Sequence, residues 1–260
     1  MRMTERTLFA LSTVVLLFAS AHTVYAGEVK HYPLPEVEGT DTRTLSIYLP
    51  EGYGNSNASY PVLYLLHGDE GSNLTFLGKG YNSYMSDANV AVILDRLLLE
   101  KKVDPMIVVC PDMTNVVLYD EYLLDTVIPF VEKTFRTMPT REFRAVAGHS
   151  MGGYHSLYLA LMHPDMFCIA GGLASYIEDH RRELAKLVDA YDRRANAMVI
   201  WLYAGAQDEN GTAKPSRDLA TILNAHGLPA TYVEDDGDHI NKVAARLAQF
   251  LEYLSKSLKP

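Results

Sequence analysis

Cysteine is scarce in this chain of 260 residues, which contains only Cys110 and Cys168. A disulfide framework is therefore excluded as the main support of the fold, and a chain of this length can bury a sufficient core without one. Both cysteines lie in apolar, strand-like runs, and parallel strands rarely provide the geometry of a disulfide. We predict two buried free thiols, and the sequence alone leaves a bridge between them open.

Basic clusters, metal-binding motifs, low-complexity tracts and internal repeats are also lacking. The chain has 23 Lys and Arg residues against 32 Asp and Glu residues, which gives a formal net charge of −9. Because no run of Lys or Arg is present, no nucleic-acid-binding surface is predicted. Because no H-E-x-x-H or paired-cysteine motif is present, no metal site is predicted.

The N-terminus has the pattern of a secretory signal peptide. A basic start with Arg2 and Arg6 precedes a largely apolar stretch, which is followed by the small-residue site Val24-Tyr25-Ala26. We predict cleavage after Ala26, which leaves one domain over residues 27–260 and a secreted or periplasmic protein without stable membrane insertion. An uncleaved anchor is the alternative, but the apolar stretch is shorter than the roughly 20 residues that span a bilayer.

Apolar runs alternate with amphipathic segments along the rest of the chain, which predicts an α/β fold with a mostly parallel sheet covered by helices on both faces. Predicted strands cover Thr44–Leu49, Pro61–Leu66, Met106–Cys110, Phe143–Ala147, Phe167–Leu173, Met198–Ala204 and Thr231–Glu234. Predicted helices cover Val90–Lys101, Glu121–Phe135 with a kink or a break at Pro129, Met151–Met162, Asp179–Tyr191, Ser216–His226 and Ile240–Leu258.

The segment Gly148-His149-Ser150-Met151-Gly152 has the pattern G-x-S-x-G. The pattern alone is weak, but here it lies between a predicted buried strand and a predicted helix, which is the context of a nucleophile elbow. The glycines allow the sharp turn, and the turn exposes the serine hydroxyl at the edge of the sheet. Ser150 is therefore the candidate nucleophile, and the fold is predicted to be that of the α/β hydrolases.

A serine nucleophile needs a base and an acid, which follow it in the order Ser, acid, His in this fold. His239 lies after the last predicted strand and is the candidate base. Asp208 follows the strand Met198–Ala204 and is the candidate acid, with Glu209 as the near alternative. His149 is adjacent to Ser150, but the turn is expected to point the two side chains apart.

Two backbone N–H groups are needed to hold the oxyanion of an acyl-transfer reaction. We assign these to Met151, which follows the nucleophile, and to Asp69, in the loop after the strand Pro61–Leu66. His67 is interpreted as a structural histidine that holds this loop. Substrate contacts are expected from aromatic residues on loops near the same edge of the sheet, namely Phe76, Tyr81, Tyr84, Tyr119 and Tyr176.

Taken together, these motifs resemble the putative-esterase family of α/β hydrolases, which includes feruloyl and acetylxylan esterases, S-formylglutathione hydrolases, siderophore esterases and mycolyltransferases. The resemblance extends from about Arg43 to Leu254. It rests on Tyr60–Gly68, Ile107–Asp112, Arg144–Gly153, His163–Phe167, Gly205–Asp208 and Gly237–His239. The family's triad falls on Ser150, Asp208 and His239, in agreement with the assignment from the residues.

The sequence departs from the family pattern at three places. His149 stands where the family often has Leu before the serine, and Asp238 stands where it often has Gly before the base. Asp69 and Glu70 place carboxylates beside the oxyanion loop, where a negative charge opposes a developing oxyanion unless the side chain points to solvent.

These observations predict an exported serine carboxylesterase that acts on a small-molecule or carbohydrate ester through an acyl-enzyme and needs no cofactor. Two alternatives stay open. An acyltransferase would use the same triad with an alcohol or sugar in place of water. A catalytically silent binding protein would keep the scaffold alone, although such relatives usually lose a member of the triad.

Overall fold

The apolar runs of the sequence form one mixed sheet in the computed structural model, which describes residues 26–34, 43–79, 85–114, 119–192 and 197–258. The strand order within these residues is β1-β2-β4-β3-β5-β6-β7-β8. The pairs β1–β2 and β2–β4 are antiparallel, and every other pair is parallel. The strands are β1 Glu28–Pro33, β2 Thr44–Leu49, β3 Val62–Leu66, β4 Ile107–Pro111, β5 Arg144–His149, β6 Ile169–Leu173, β7 Val199–Gly205 and β8 Ala230–Asp235.

Helices cover both faces of this sheet, because each amphipathic segment buries its apolar side against the strands. The helices are α1 Val90–Leu99, α2 Tyr119–Glu121, α3 Ile128–Thr134, α4 Met151–Met162, α5 Arg181–Ala190, α6 Ala213–Ala225 and α7 Val243–Ser257. Apolar side chains of α1 and α7 belong to the core on one face, and those of α3 to α6 belong to the core on the other. The predicted α/β architecture is confirmed.

The predicted helix Glu121–Phe135 is divided in the structure. A π-helical segment, Tyr122–Val127, joins α2 to α3, and Pro129 lies in the first turn of α3. Proline has no N–H to donate, so it fits the first turn of a helix and not its interior. The backbone stays helical through Val127 and Ile128, so the structure shows a change of helix type just before Pro129 and no break of the helix at that residue.

Both cysteines are free thiols, as predicted, and Cys110 is buried while Cys168 is only half-buried. Cys110 lies in β4 and Cys168 directly precedes β6, and these strands are separated by β3 and β5. Neighbouring strands are about 4.8 Å apart, which puts the two thiols well beyond the reach of a disulfide.

The predicted signal peptide, residues 1–26, lies outside the described residues except for Ala26. Among the helices of the described ranges, none combines the length and the apolarity needed to cross a membrane.

Candidate active site

Ser150 occupies a sharp turn between β5, which ends at His149, and α4, which begins at Met151. Its backbone has φ 56° and ψ −120°, a conformation that L-residues rarely adopt. Three backbone hydrogen bonds hold it there: Ser150 N–H donates to Leu173 O at 3.0 Å, and Ser150 O accepts from Tyr154 N–H at 3.1 Å and Tyr176 N–H at 3.0 Å. The surrounding backbone thus maintains the strained turn that displays the hydroxyl.

The two glycines of the motif are required by close backbone contacts. A Cβ atom at Gly148 would lie 2.4 Å from the backbone of Gly152, and one at Gly152 would lie 2.3 Å from the carbonyl oxygens of Leu66 and His67. Such distances are far below van der Waals contact. The start of α4 can therefore approach the end of β3 only because neither position carries a side chain.

Asp208 and His239 meet at the same edge of the sheet, in the loops that follow β7 and β8. His239 Nδ1 donates to Asp208 Oδ2 at 2.8 Å, and the Asp208 side chain has no exposed surface. A Cβ atom at Gly205 would lie 2.1 Å from the carbonyl oxygen of Gly237, so the two loops pack backbone against backbone. Gln207 N–H donates to that same carbonyl oxygen at 2.9 Å. Asp208 and His239, the candidate acid and base, are therefore fixed relative to each other.

The carboxylate of Asp208 has further donors besides His239. Asn210 N–H donates to Oδ1 at 2.8 Å, and the Thr212 hydroxyl donates to Oδ2. Burial alone would raise the pKa of Asp208, but the hydrogen bonds from His239, Thr212 and Asn210 outweigh it and hold the pKa below its usual value. Asp208 is therefore ionised at neutral pH. Thr212 is a contact that no sequence motif indicated.

The loop after β3 lies directly against Ser150, the candidate nucleophile. A Cβ atom at Gly68 would lie 3.0 Å from Ser150 Cβ. His67 Nε2 accepts from Met113 N–H at 2.9 Å, so the imidazole proton is on Nδ1, which donates to Gly68 O at 2.7 Å. Burial lowers the pKa of His67 and keeps the ring neutral.

The bond from His67 also sets the direction of the Asp69 N–H. The Gly68–Asp69 peptide is trans, so its N–H points opposite to the Gly68 carbonyl that His67 holds. Met151 is the first residue of α4, where backbone N–H groups have no partner within the helix. The side chains of Asp69 and Glu70 are exposed, and the Asp69 carboxylate accepts from Glu70 N–H at 3.0 Å.

Two clefts flank this loop and share its residues Gly68, Asp69 and Glu70. The first has a volume of about 140 Å³ and is lined also by Ser150, His239, His149, Gly71, Thr75, Met85 and Ile240. The second has a volume of about 400 Å³ and is lined also by His67, Met113, Thr114, Tyr119, Met151 and His155. Ser150 and His239 thus line one cleft, and Met151 lines a second cleft that shares the residues Gly68, Asp69 and Glu70 with the first.

A larger cavity of about 570 Å³ lies elsewhere, beside Cys168, Val199 and Pro229. These residues stand at or just before the first residues of β6, β7 and β8, whereas the catalytic candidates follow the last residues of strands. Its size does not make it the site, because the described residues that line it include no nucleophile with a base beside it.

Three of the five expected aromatic contacts lie among the described residues, and each has a different environment. Tyr119 lines the second cleft, and its ring stacks on His155 with centroids 3.8 Å apart and an interplanar angle of 5°. Tyr176 is half-buried near the elbow, and its hydroxyl donates to Asp179 at 2.9 Å. Phe76 is only 1% exposed and packs in the hydrophobic core, so this burial gives it no surface for a substrate and corrects the expectation.

Tyr81 and Tyr84 lie outside the described residues. His155 was not among the expected contacts, because a histidine within a helix has no motif that marks it.

Within the ranges that the structure describes, no group of three or more His, Cys, Asp or Glu residues has the arrangement of a metal site.

The mostly parallel eight-stranded sheet, with a serine at the strand-to-helix turn after β5, places the protein among the α/β hydrolases. A family model described as "Putative esterase" matches residues 39–240. The chain therefore belongs to the putative esterase family. The family resemblance and the fold predicted from the sequence are both confirmed.

Curated relatives and solved structures agree with this placement. An endo-1,4-beta-xylanase/feruloyl esterase of Xylanibacter ruminicola is 33% identical over 141 residues, which are 48% of this chain and 18% of that protein. The chain thus spans only a small part of that relative. A ferulic acid esterase structure has a TM-score of 0.79 at 22% identity and covers 90% of this chain and 100% of its own.

A third similarity is to a ferulic acid esterase from Anaeromyces mucronatus, solved in complex with ferulic acid. It has a TM-score of 0.74 at 21% identity and covers 92% of this chain and 94% of its own. At this level of identity the structural similarity establishes the fold alone.

Proposed function

We propose that the protein is an exported serine carboxylesterase that uses Ser150, His239 and Asp208 as its triad and forms an acyl-enzyme. The observation that carries this proposal is the 2.8 Å hydrogen bond between His239 Nδ1 and the buried Asp208, with His239 and Ser150 lining one cleft. Because Nδ1 is occupied by Asp208, Nε2 is the nitrogen left to take the serine proton.

In the first half-reaction, Ser150 Oγ attacks the ester carbonyl carbon while its proton passes to His239 Nε2. The negative oxygen of the tetrahedral intermediate accepts from the N–H groups of Met151 and Asp69. His239 then gives its proton to the leaving alcohol as the C–O bond breaks, and the acyl group stays on Ser150. The Asp208 carboxylate stabilises the imidazolium that exists between these two proton transfers.

In the second half-reaction, water takes the place of the alcohol. His239 removes a proton from the water as its oxygen attacks the acyl-enzyme, and Ser150 leaves with that proton while the free acid departs. An added alcohol could compete with water at this step. Product analysis with and without such an acceptor distinguishes hydrolysis from acyl transfer, since a new ester forms only in the second case.

The two clefts support an ester with a substantial group on each side of the carbonyl. The stacked rings of Tyr119 and His155 offer an aromatic wall in the larger cleft, on which an aromatic acyl group or a sugar face can pack. The feruloyl esterases among the similar proteins make feruloyl esters of carbohydrates the first substrates to test. Export is proposed from the signal pattern of residues 1–26.

The test is hydrolysis of simple aryl, acetyl-sugar and feruloyl-sugar esters by the purified chain without residues 1–26. Ser150→Ala and His239→Ala should each remove nearly all turnover of any ester that the wild type hydrolyses, with unchanged circular dichroism. Ser156→Ala is the matched control, because Ser156 lies in α4 with its hydroxyl bonded to Gly152 O and lines neither cleft. Full activity of Ser150→Ala would refute the proposal.

A further inference from the structure

The side chain of His149, directly before the nucleophile, does not project into solvent. It is 5% exposed and lies at the end of β5. Its Nε2 lies 2.8 Å from the main-chain carbonyl oxygen of His239, and the centroids of the two imidazole rings are 4.6 Å apart at an interplanar angle of 54°. The sequence suggested only that this side chain points away from Ser150, and no partner for it was expected.

The chemistry of this contact fixes which atom is the donor. A carbonyl oxygen only accepts, so His149 Nε2 must carry the proton. Burial, together with the neighbouring His239, lowers the pKa of His149 to about 4, so the ring is neutral at neutral pH. A neutral ring adds no positive charge beside His239, which itself becomes an imidazolium during the reaction.

The carbonyl group that accepts the hydrogen bond from His149 belongs to the main chain of His239 itself. The bond therefore limits rotation of the backbone from which the His239 imidazole projects. On the preceding side, Gln207 N–H holds the Gly237 carbonyl oxygen at 2.9 Å. On the following side, the Asp238 carboxylate accepts from Ile240 N–H at 2.7 Å. The hydrogen bond from His149 joins the backbone of His239, the proposed base, to the end of β5, directly before the proposed nucleophile Ser150.

We propose that His149 is a positioning residue, whose Nε2–H bond to the His239 carbonyl keeps the imidazole in register between Ser150 and Asp208. The inference rests on the proposed triad and extends it to a side chain outside the three reacting groups. Misplacing a reacting group by about 1 Å can cost about 100-fold in rate, so a single fixed backbone bond at the base can have a large effect on kcat.

Three substitutions separate the hydrogen bond from simple packing. His149→Leu fills much of the space and lacks a donor. His149→Gln places an amide N–H at about the depth of Nε2 and can still reach the His239 carbonyl, whereas the shorter side chain of His149→Asn cannot. We expect kcat to fall about 10- to 100-fold in the Leu and Asn variants with little change in KM, and to recover most of that loss in the Gln variant.

One further measurement reports on the imidazole of His239 itself. The low-field proton resonance of the His239–Asp208 hydrogen bond should shift or broaden in the Leu and Asn variants and stay near its wild-type position in the Gln variant. His226→Leu is the matched control, because His226 is exposed at the end of α6 and lines neither cleft. It should leave both kcat and the resonance unchanged.

The outcomes decide the inference separately from the proposed function. Wild-type kcat in His149→Leu, or equal losses in folded Asn and Gln variants, would overturn the positioning role. If the Leu variant does not fold, the comparison of Asn with Gln carries the decision. Ser150→Ala is assayed in parallel: turnover in that variant refutes the triad, whereas an inert Ser150→Ala beside a fully active His149→Leu refutes only the role of His149.

Discussion

Replacing Asp208 by asparagine tests the proposed triad with a minimal change of shape. Asp208 Oδ1 accepts from Asn210 N–H at 2.8 Å, while Oδ2 accepts from His239 Nδ1 at 2.8 Å and from the Thr212 hydroxyl. The amide oxygen of asparagine must stay where Asn210 N–H donates, because an NH₂ group there would face another donor. The NH₂ group therefore takes the Oδ2 position and points at His239.

A donor at that position reverses the tautomer of the base. His239 Nδ1 must then accept, so the imidazole proton moves to Nε2, which is the nitrogen that should remove the serine proton. The corresponding change in a serine protease triad lowers kcat by about 10⁴-fold. We expect a loss of the same order here, which corresponds to about 5 kcal/mol of activation free energy. The Thr212 hydroxyl can rotate to suit the amide, so the fold should persist.

The assay is steady-state hydrolysis of an aryl ester, with the unfolding midpoint in urea measured for each variant. Glu209→Gln is the matched control, because Glu209 is the adjacent acidic residue and its side chain is exposed. Glu209→Gln should keep wild-type kcat. Wild-type kcat in Asp208→Asn would contradict the reasoning and move the acid role to Glu209, the near alternative.

Three further predictions follow from the geometry. Gly152→Ala should lower the free energy of unfolding by about 2 kcal/mol or more in urea denaturation and abolish turnover, because its Cβ would lie 2.3 Å from two carbonyl oxygens. Among the described residues, the cleft walls include the carboxylates of Asp69 and Glu70 and no Lys or Arg. An ester with an anionic acyl group should therefore show a lower kcat/KM than its neutral isostere, and Glu70→Gln should narrow that difference, as should added salt. The pKa of His149 is lowered to about 4 in the folded state, so the unfolded chain binds more protons between that value and about 6.5. Stability should fall as pH falls through this window, with a shallower fall in His149→Gln than in the wild type when urea denaturation is compared at both ends.

The central strands and the helix after the elbow were predictable because their sequence patterns report burial directly. The predicted bounds of Thr44–Leu49 and Met151–Met162 coincide with β2 and α4. No prediction covered β1, Glu28–Pro33, because its sequence lacks an apolar run. Among the described strands it is an edge strand that pairs only with β2, and its residues are exposed or half-buried.

The candidate site could be proposed from the sequence where the structure leaves no room for a side chain. Gly148 and Gly152 leave a visible motif, because any Cβ at these positions would overlap a neighbouring backbone. Gly205 marks the loop of the acid in the same way, since it faces the carbonyl oxygen of Gly237. These exclusions act on residue type, so they can be recognised in a single sequence.

The contacts of His149 and Thr212, in contrast to the glycines, could not be recognised in the sequence. His149 bonds a main-chain carbonyl, and Thr212 bonds a carboxylate from the neighbouring turn. Every residue offers a main-chain carbonyl, so nothing in the sequence near His239 indicates that a distant imidazole binds there. The contact of His149 becomes visible only once the ends of β5 and β8 are brought to one edge of the sheet. The triad can therefore be proposed from motifs, whereas the groups that hold it in register have to be found from coordinates.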